Sequence, residues 1–399
     1  MTSLLKGTLK PIHPFPARMA PEIALEATSA LPANSVVLDP MAGSGTAVRF
    51  ASEQGHRAIG FDRDPLAALM TRVWTTPMCT TWLRKEAVRI AEQALKLDPA
   101  AIRLPWIDND QETADFVDYW FAVQQRSDLR RLSSLLLNIR GSLGDAMWIA
   151  LSRIIITKKR GASLAWDVSH SRPHRKQEEN HFSVISEFIR SVDYLAKRLD
   201  EQPPPGNVRV GVADARKLSS VSDSSVDAVL TSPPYLNAID YLRGHKFTLV
   251  WLGYRICELR RIRSNSIGSE RNPGSDSNGV LADRLCASVP LVNQLPRREL
   301  GIFRRYVLDL FAMMSEINRV LKPGGKAVLV VGNSCLKGVF VENDRVARVA
   351  ARQVGLRCTA RYERALPSIR RYLPPPTTME ASGLKKRMRT ESVLTFTKS

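Results

Sequence analysis

Seven short runs of β-branched and apolar residues punctuate the chain: Ser35–Asp39, Ala58–Asp62, Val208–Ala213, Val226–Thr231, Lys326–Val331, Leu356–Tyr362 and Ser392–Thr397. Each stops abruptly at polar or glycine-bearing residues, as strands do. Several are almost continuously apolar, the pattern of strands covered by helices on both faces of a parallel sheet. Helical spacing lies between them, as in Pro21–Leu31 and Phe303–Leu321. The element order therefore predicts a doubly wound α/β fold. The second and third runs stand about 145 residues apart, far more than one crossover helix needs. That stretch repeats apolar residues every three and four positions and closes in Pro203-Pro204-Pro205-Gly206, a stiff linker. Residues 1–67 and 207–399 are thus expected to form the two parts of the α/β domain, with 68–206 a mostly helical insert. A stretch at about 255–300, rich in Ser, Asn, Gly and Arg, predicts a flexible basic loop.

Charge narrows the class of partner. Against 39 Asp and Glu stand 58 Lys and Arg in 399 residues, a formal charge of +19, which favours a polyanion such as nucleic acid. No run approaches the ~20 apolar residues of a membrane span, and Met1–Gly7 lacks the apolar core of a secretory signal, so no membrane partner and a cytoplasmic location are expected. The five cysteines include no Cys-x-x-Cys pair. His170, His174 and His181 are interleaved with Arg172, Arg175 and Lys176, which would repel a cation, so no metal is expected.

The chemistry gathers at the ends of the predicted strands. Asp39 ends the first and is followed by Met-Ala42-Gly43-Ser-Gly45-Thr46, a turn whose glycines allow close backbone approach to a ligand. Val48 stands where a dinucleotide fingerprint wants a small residue, and the Gly-Lys-Ser/Thr of a phosphate loop is missing. A cationic cofactor such as S-adenosylmethionine suits Asp39 better than a phosphate does. Asp62 and Asp214 end the next two strands, where a ribose diol and an adenine amino group would lie in one crevice. The fourth predicted strand runs into Ser232-Pro233-Pro234-Tyr235. Paired prolines fix the backbone and leave oxygen acceptors without local amide donors. Ser232 and the Pro233 carbonyl suit the N–H groups of an exocyclic amine, and Tyr235 suits stacking on its ring.

His13-Pro-Phe15-Pro16-Ala-Arg-Met19, Leu38-Asp-Pro-Met-Ala-Gly-Ser-Gly-Thr46 and Thr231-Ser-Pro-Pro-Tyr235 together resemble the amino-methylating DNA methyltransferases, which act on cytosine N(4) or adenine N(6). The resemblance implies a Rossmann-like S-adenosylmethionine-dependent methyltransferase fold, with Phe15, Pro16, Asp39, Ala42, Gly43 and Gly45 at the cofactor and Ser232–Tyr235 as the catalytic loop. Asp62 and Asp214 join the cofactor set. Adenine-specific members more often carry Asp or Asn at the position of Ser232, so Ser is similar to the cytosine-N(4) branch; adenine N(6) is the alternative. No cysteine follows a proline, which excludes the carbon-5 nucleophile.

Double-stranded DNA is the implied partner. Its candidate contacts are Lys158, Lys159, Arg160, Arg172, Arg175 and Lys176 in the insert, the first candidate for target recognition, and Arg260, Arg261 and Arg263 in the 255–300 stretch, the second candidate. The sequence leaves open whether a cognate restriction endonuclease accompanies the protein. An RNA amino-methyltransferase and a non-catalytic nucleic-acid-binding module remain as rival readings.

Overall fold

The structure is a computed structural model, and the residues it describes are 9–236, 239–269, 279–289, 292–366 and 390–399. Its main sheet has seven strands: β1 (Val36–Asp39), β2 (Arg57–Asp62), β3 (Val208–Val212), β4 (Val226–Thr231), β5 (Leu321–Gly332), β6 (Leu356–Ala365) and β7 (Thr390–Lys398). In space they run β6-β7-β5-β4-β1-β2-β3. Strands β3, β2, β1, β4 and β5 pair in parallel, and β7 is antiparallel to both β5 and β6. All seven predicted runs are strands, in a doubly wound Rossmann-like sheet. The strand order reverses between β1 and β4, and in doubly wound sheets ligands bind at such a switch point, beyond the strands' carboxyl ends.

The apolar runs are explained by cover on both sides. Val36 and Leu38 of β1 pack in one core with helices α13 (Arg297–Val320) and α14 (Asn343–Gln353), whereas Val37 joins α1 (Pro21–Ser29) and α2 (Thr46–Glu53) in another. Successive residues of one strand thus enter opposite cores, and neither face tolerates a polar side chain.

Between β2 and β3 lie α3 (Pro65–Thr75), α4 (Thr80–Lys96), α5 (Pro105–Asp108), α6 (Gln111–Trp120), α7 (Val123–Leu136), α8 (Gly141–Ile155) and α9 (Val184–Glu201). The expected boundary at 67/68 cuts through α3. Leu66, Leu69, Met70, Val73 and Trp74 of α3 share one apolar core with α4 through α9, and that core continues into Phe247 and Leu249 of α10 (Leu242–Leu249) and Trp251. The helical stretch is therefore packed into the second half of the chain.

The expected flexible loop at 255–300 is corrected. It holds α11 (Ile256–Ser264) and α12 (Gly279–Ala287), and α13 begins at Arg297. Glu258 starts α11 by accepting from the Arg255 amide at 2.9 Å, and buried Leu259, Ala282 and Leu285 anchor the two helices. Composition concealed these helices because few apolar positions suffice to seat them. Residues 270–278, 290 and 291 of that loop lie outside the described residues.

No helix among the described residues is long and apolar enough to cross a membrane. Arg49 on α2 is fully buried. It donates to the carbonyls of Trp74, Gln202 (2.9 Å) and Pro203 (3.2 Å) and to Glu53 (2.8 Å), which fastens both ends of the helical stretch to the sheet. Replacing it by Met should cost about 3 kcal/mol in chemical denaturation, because three carbonyls lose their donor. An unchanged denaturation midpoint would contradict this role.

Candidate active site

The turn after β1 is shaped by two glycines. Gly43 has φ +53°, and a Cβ there would lie 3.2 Å from the ring of Phe15. Gly45 has φ +90°, and a Cβ would press on Thr71 at 3.1 Å. Asp62 at the end of β2 pins the turn: its Oδ2 accepts from the Gly43 amide at 2.8 Å, and its Oδ1 from the Asp64 amide at 2.8 Å. Ala42 is buried, its amide bonded to the Phe61 carbonyl at 2.7 Å.

Asp39 joins this turn to the strand that leads to the proline pair. Its Oδ1 accepts from the Thr231 hydroxyl at 2.7 Å and the Met41 amide at 3.1 Å. Oδ2 makes no hydrogen bond among the described residues. Burial pushes the Asp39 carboxyl up to about 7, against the two hydrogen bonds that favour its charge. Burial and the neighbouring charge of Asp64 push Asp62 up to about 6. Two reluctant carboxylates at adjacent strand ends suit a cation.

Phe15 and Pro16 are half-buried above this turn. Phe15 stacks on Tyr241, centroids 4.7 Å apart and planes at 23°. The stack is held from both sides. His13 bonds through Nε2 to Ser152 Oγ of α8 at 2.8 Å, and Ser152 Oγ lies 3.1 Å from Thr248 Oγ1 of α10. Burial and the charge of Arg153 hold the His13 imidazole well below its ordinary value, so it is a neutral strut. On α10, His245 donates through Nδ1 to Asp64 Oδ2 at 2.5 Å.

At the end of β4, the Ser232 hydroxyl donates to the Val330 carbonyl of β5 at 3.0 Å, so its oxygen is left as an acceptor. Pro233 is buried and Pro234 half-buried. Tyr235 is half-buried and backs onto Gly332, where a Cβ would lie 2.6 Å from the ring; burial raises its phenol above the ordinary range. The next carbonyl, of Leu236, accepts from Ser334 Oγ at 2.6 Å, and Asn343 bonds Ser334 Oγ at 2.7 Å and the Gly332 carbonyl at 2.9 Å. This buried network fixes the loop from beneath.

Two expectations change. Asp214, expected to meet an adenine amine, is held by Arg63 and by Arg216 (2.7 Å). These cations draw its carboxyl below the usual range despite burial, so its acceptor capacity is already engaged. Of the second basic cluster, Arg260 pairs with Glu112 and Arg263 with Asp240, leaving Arg261 with no ion pair among the described residues. In the first cluster Lys158, Lys159, Arg160, Arg172, Arg175 and Lys176 are all exposed. Sequence reasoning quoted Thr231 within its motif without giving it a role, and missed His245 and Asn343. Their partners lie 192, 181 and 11 residues away, and local patterns do not register such pairings.

Among the described residues no group of three or more His, Cys, Asp or Glu is placed to hold a metal ion. No protein-family model matches the chain. It is 21% identical over 384 residues to the type II methyltransferase M.MvaI of Kocuria varians, covering 90% of this chain and 84% of that protein. It is 22% identical over 372 residues to the type II methyltransferase M.AvaI of a Nostoc species, covering 80% and 72%. The chain is similar to type II methyltransferases. A solved TehB-like S-adenosylmethionine-dependent methyltransferase from Corynebacterium glutamicum aligns over 96% of this chain and 89% of its own, with 11% identity and a TM-score of 0.31.

Ionisation of Asp39 links the site to stability. Its folded value of about 7 exceeds the ordinary 3.8, so between those pH values the folded chain keeps a proton that the unfolded chain has lost, and stability falls as pH rises through that window. Asp39→Asn retains an acceptor for Thr231 and Met41 but cannot ionise. Its stability relative to the unsubstituted protein should therefore rise by about 2 kcal/mol between pH 5 and pH 8 in urea titrations. A difference independent of pH would refute this.

Proposed function

We propose that the protein is a DNA methyltransferase that moves the methyl group of S-adenosylmethionine to the exocyclic amine of a base rotated out of the duplex, cytosine N(4) in particular. The observation that carries this reading is the Asp39–Thr231 hydrogen bond of 2.7 Å, which holds the glycine turn and the Ser232–Tyr235 lip against each other. The likeness to two type II methyltransferases over most of their length supports the class of reaction.

The turn fits the cofactor on its own geometry. Gly43 leaves the room under Phe15 that a Cβ would fill, Asp39 Oδ2 has no hydrogen-bond partner among the described residues and suits a cationic donor, and Asp62 accepts from the Gly43 amide of the same turn. When bound, S-adenosylmethionine supplies an electrophilic methyl on a sulfonium that leaves as a thioether. The protein's part is to place the amine. Ser232, its proton committed to Val330, and the Pro233 carbonyl accept the two N–H groups, which turns the nitrogen lone pair toward the methyl. Tyr235, backed by Gly332, gives the base a ring to stack on. The nitrogen becomes acidic once methylated and sheds its proton late, so no strong base is needed. The neutral Ser232 in place of a carboxylate or amide is the reason for naming cytosine over adenine.

Labelled S-adenosylmethionine with duplex DNA or total RNA tests the proposal. Label should enter DNA. Ser232→Ala and Tyr235→Ala should each lower transfer about 100-fold or more, the scale of lost positioning, with cofactor affinity within about threefold. Asp62→Ala should chiefly weaken the cofactor. Label in RNA alone, or equal loss of cofactor binding in all three variants, would overturn the reading.

A further inference from the structure

The cations of the chain are not equivalent. Arg63, Arg216, Arg260, Arg263 and Arg319 are all tied into ion pairs. Between 158 and 176 the pattern reverses. Lys158, Lys159, Arg160, Arg172 and Lys176 are exposed and make no ion pair among the described residues, and Arg175 lies over the ring of Tyr119 at 4.9 Å. Of the acids nearby, Asp167 faces His170 and His174, Glu179 faces His181, and Glu178 makes no ion pair among the described residues.

The element carrying these cations is tightly built. Ala165–Trp166 pairs antiparallel with His174–Arg175. The Asp167 amide donates to the Lys158 carbonyl at 2.8 Å, Ser169 to Thr157 at 3.0 Å and Lys176 to Leu164 at 3.2 Å. Asp167 and Ser171 lie at φ 56° and 54°, in the left-handed region that L residues other than Asn and Asp adopt uncommonly. Residues 161–165 are buried, and a Cβ on Gly161 would lie 2.6 Å from the Ile154 carbonyl. The exposed cations therefore project from a fixed base.

That base sits beside the candidate active site. A Cβ on Gly244 would fall 2.5 Å from the Val168 carbonyl, so α10 and the hairpin are in direct contact, and Ser171 Oγ donates to the Tyr241 carbonyl at 3.4 Å. Tyr241 stacks on Phe15, whose ring covers Gly43. Three contacts thus lead from the basic hairpin to the cofactor turn.

We propose that the hairpin 157–176 is the surface that grips the phosphate backbone of duplex DNA beside the candidate active site, whereas Arg260 and Arg263 serve the fold. This rests on the methyltransferase reading for the identity of the duplex, but the surface can be tested apart from it. Unpaired, exposed cations on a rigid support release counterions on meeting phosphate without first breaking internal ion pairs. The same rigidity would hold the bound strand in register with the lip.

The test is anisotropy titration of a labelled DNA duplex at several salt concentrations, using the full chain and the triple variant Lys158→Ala, Lys159→Ala, Arg160→Ala. Each lost phosphate contact removes about 0.9 from the slope of log affinity against log salt, so the slope should fall by roughly 2 to 3. Cofactor affinity should stay unchanged. Arg172→Gln with Lys176→Gln, at the other end of the hairpin, should lower the slope by about 1 to 2. Arg260→Ala should leave it unaltered. An unchanged slope in both hairpin variants overturns the proposal, as does a preference for duplex RNA over duplex DNA. Label transfer to DNA by the parent protein with unaltered slopes would sink the surface and spare the methylation reading. Lowered slopes without any label transfer would do the reverse.

Discussion

A buried carboxylate at the end of β1 is the constraint on which the site turns. Asp39 lies where two strands from distant parts of the sequence run side by side, and its Oδ1 takes the Thr231 hydroxyl. The interior resists its charge and pushes the carboxyl up to about 7, while the Thr231 hydroxyl and the Met41 amide favour the ionised form. Strand β1 delivers the glycine turn, and β4 delivers the proline lip. A hydrogen bond between their ends sets one against the other before any ligand arrives, and such preorganisation is what a reaction that relies on positioning needs.

The remaining architecture reinforces that junction. Phe15 reaches the turn because His13 is braced on Ser152 of α8 and Tyr241 on α10 stacks against the ring. Asp64 and His245 tie α10 back to β2. Beneath the lip, Asn343 and Ser334 carry the end of β5 to the Leu236 carbonyl. The helical stretch between β2 and β3 is part of this frame, since α8 supplies Ser152 and its core runs on into α10.

Much of the sheet was legible in the sequence because a strand buried on both faces leaves little choice of residue. The Val36-Val37-Leu38 triplet feeds two cores at once, and the alternative of a half-exposed strand would have shown polar alternation. The site was legible where chemistry needs adjacent residues, as at Gly43–Gly45 and Ser232–Tyr235. It was obscure where function depends on pairings across the fold. The Arg63 that helps hold Asp214 lies 151 residues away, and nothing local distinguishes Arg263, paired with Asp240, from Lys159, which makes no ion pair among the described residues. Charge counted along a chain overstates what the surface offers. The helices at 256–264 and 279–287 escaped for a related reason: a polar, basic composition hides the few apolar residues that dock them.

The junction can be tested without touching either the cofactor's or the base's contacts. Thr231→Val keeps the shape of a fully buried side chain and removes only the hydroxyl that Asp39 accepts. A buried hydrogen bond to a charged group contributes about 1.5–3 kcal/mol, so turnover on duplex DNA should fall about 10- to 100-fold while the cofactor dissociation constant moves less than about threefold. Turnover equal to that of the unsubstituted protein would contradict the account.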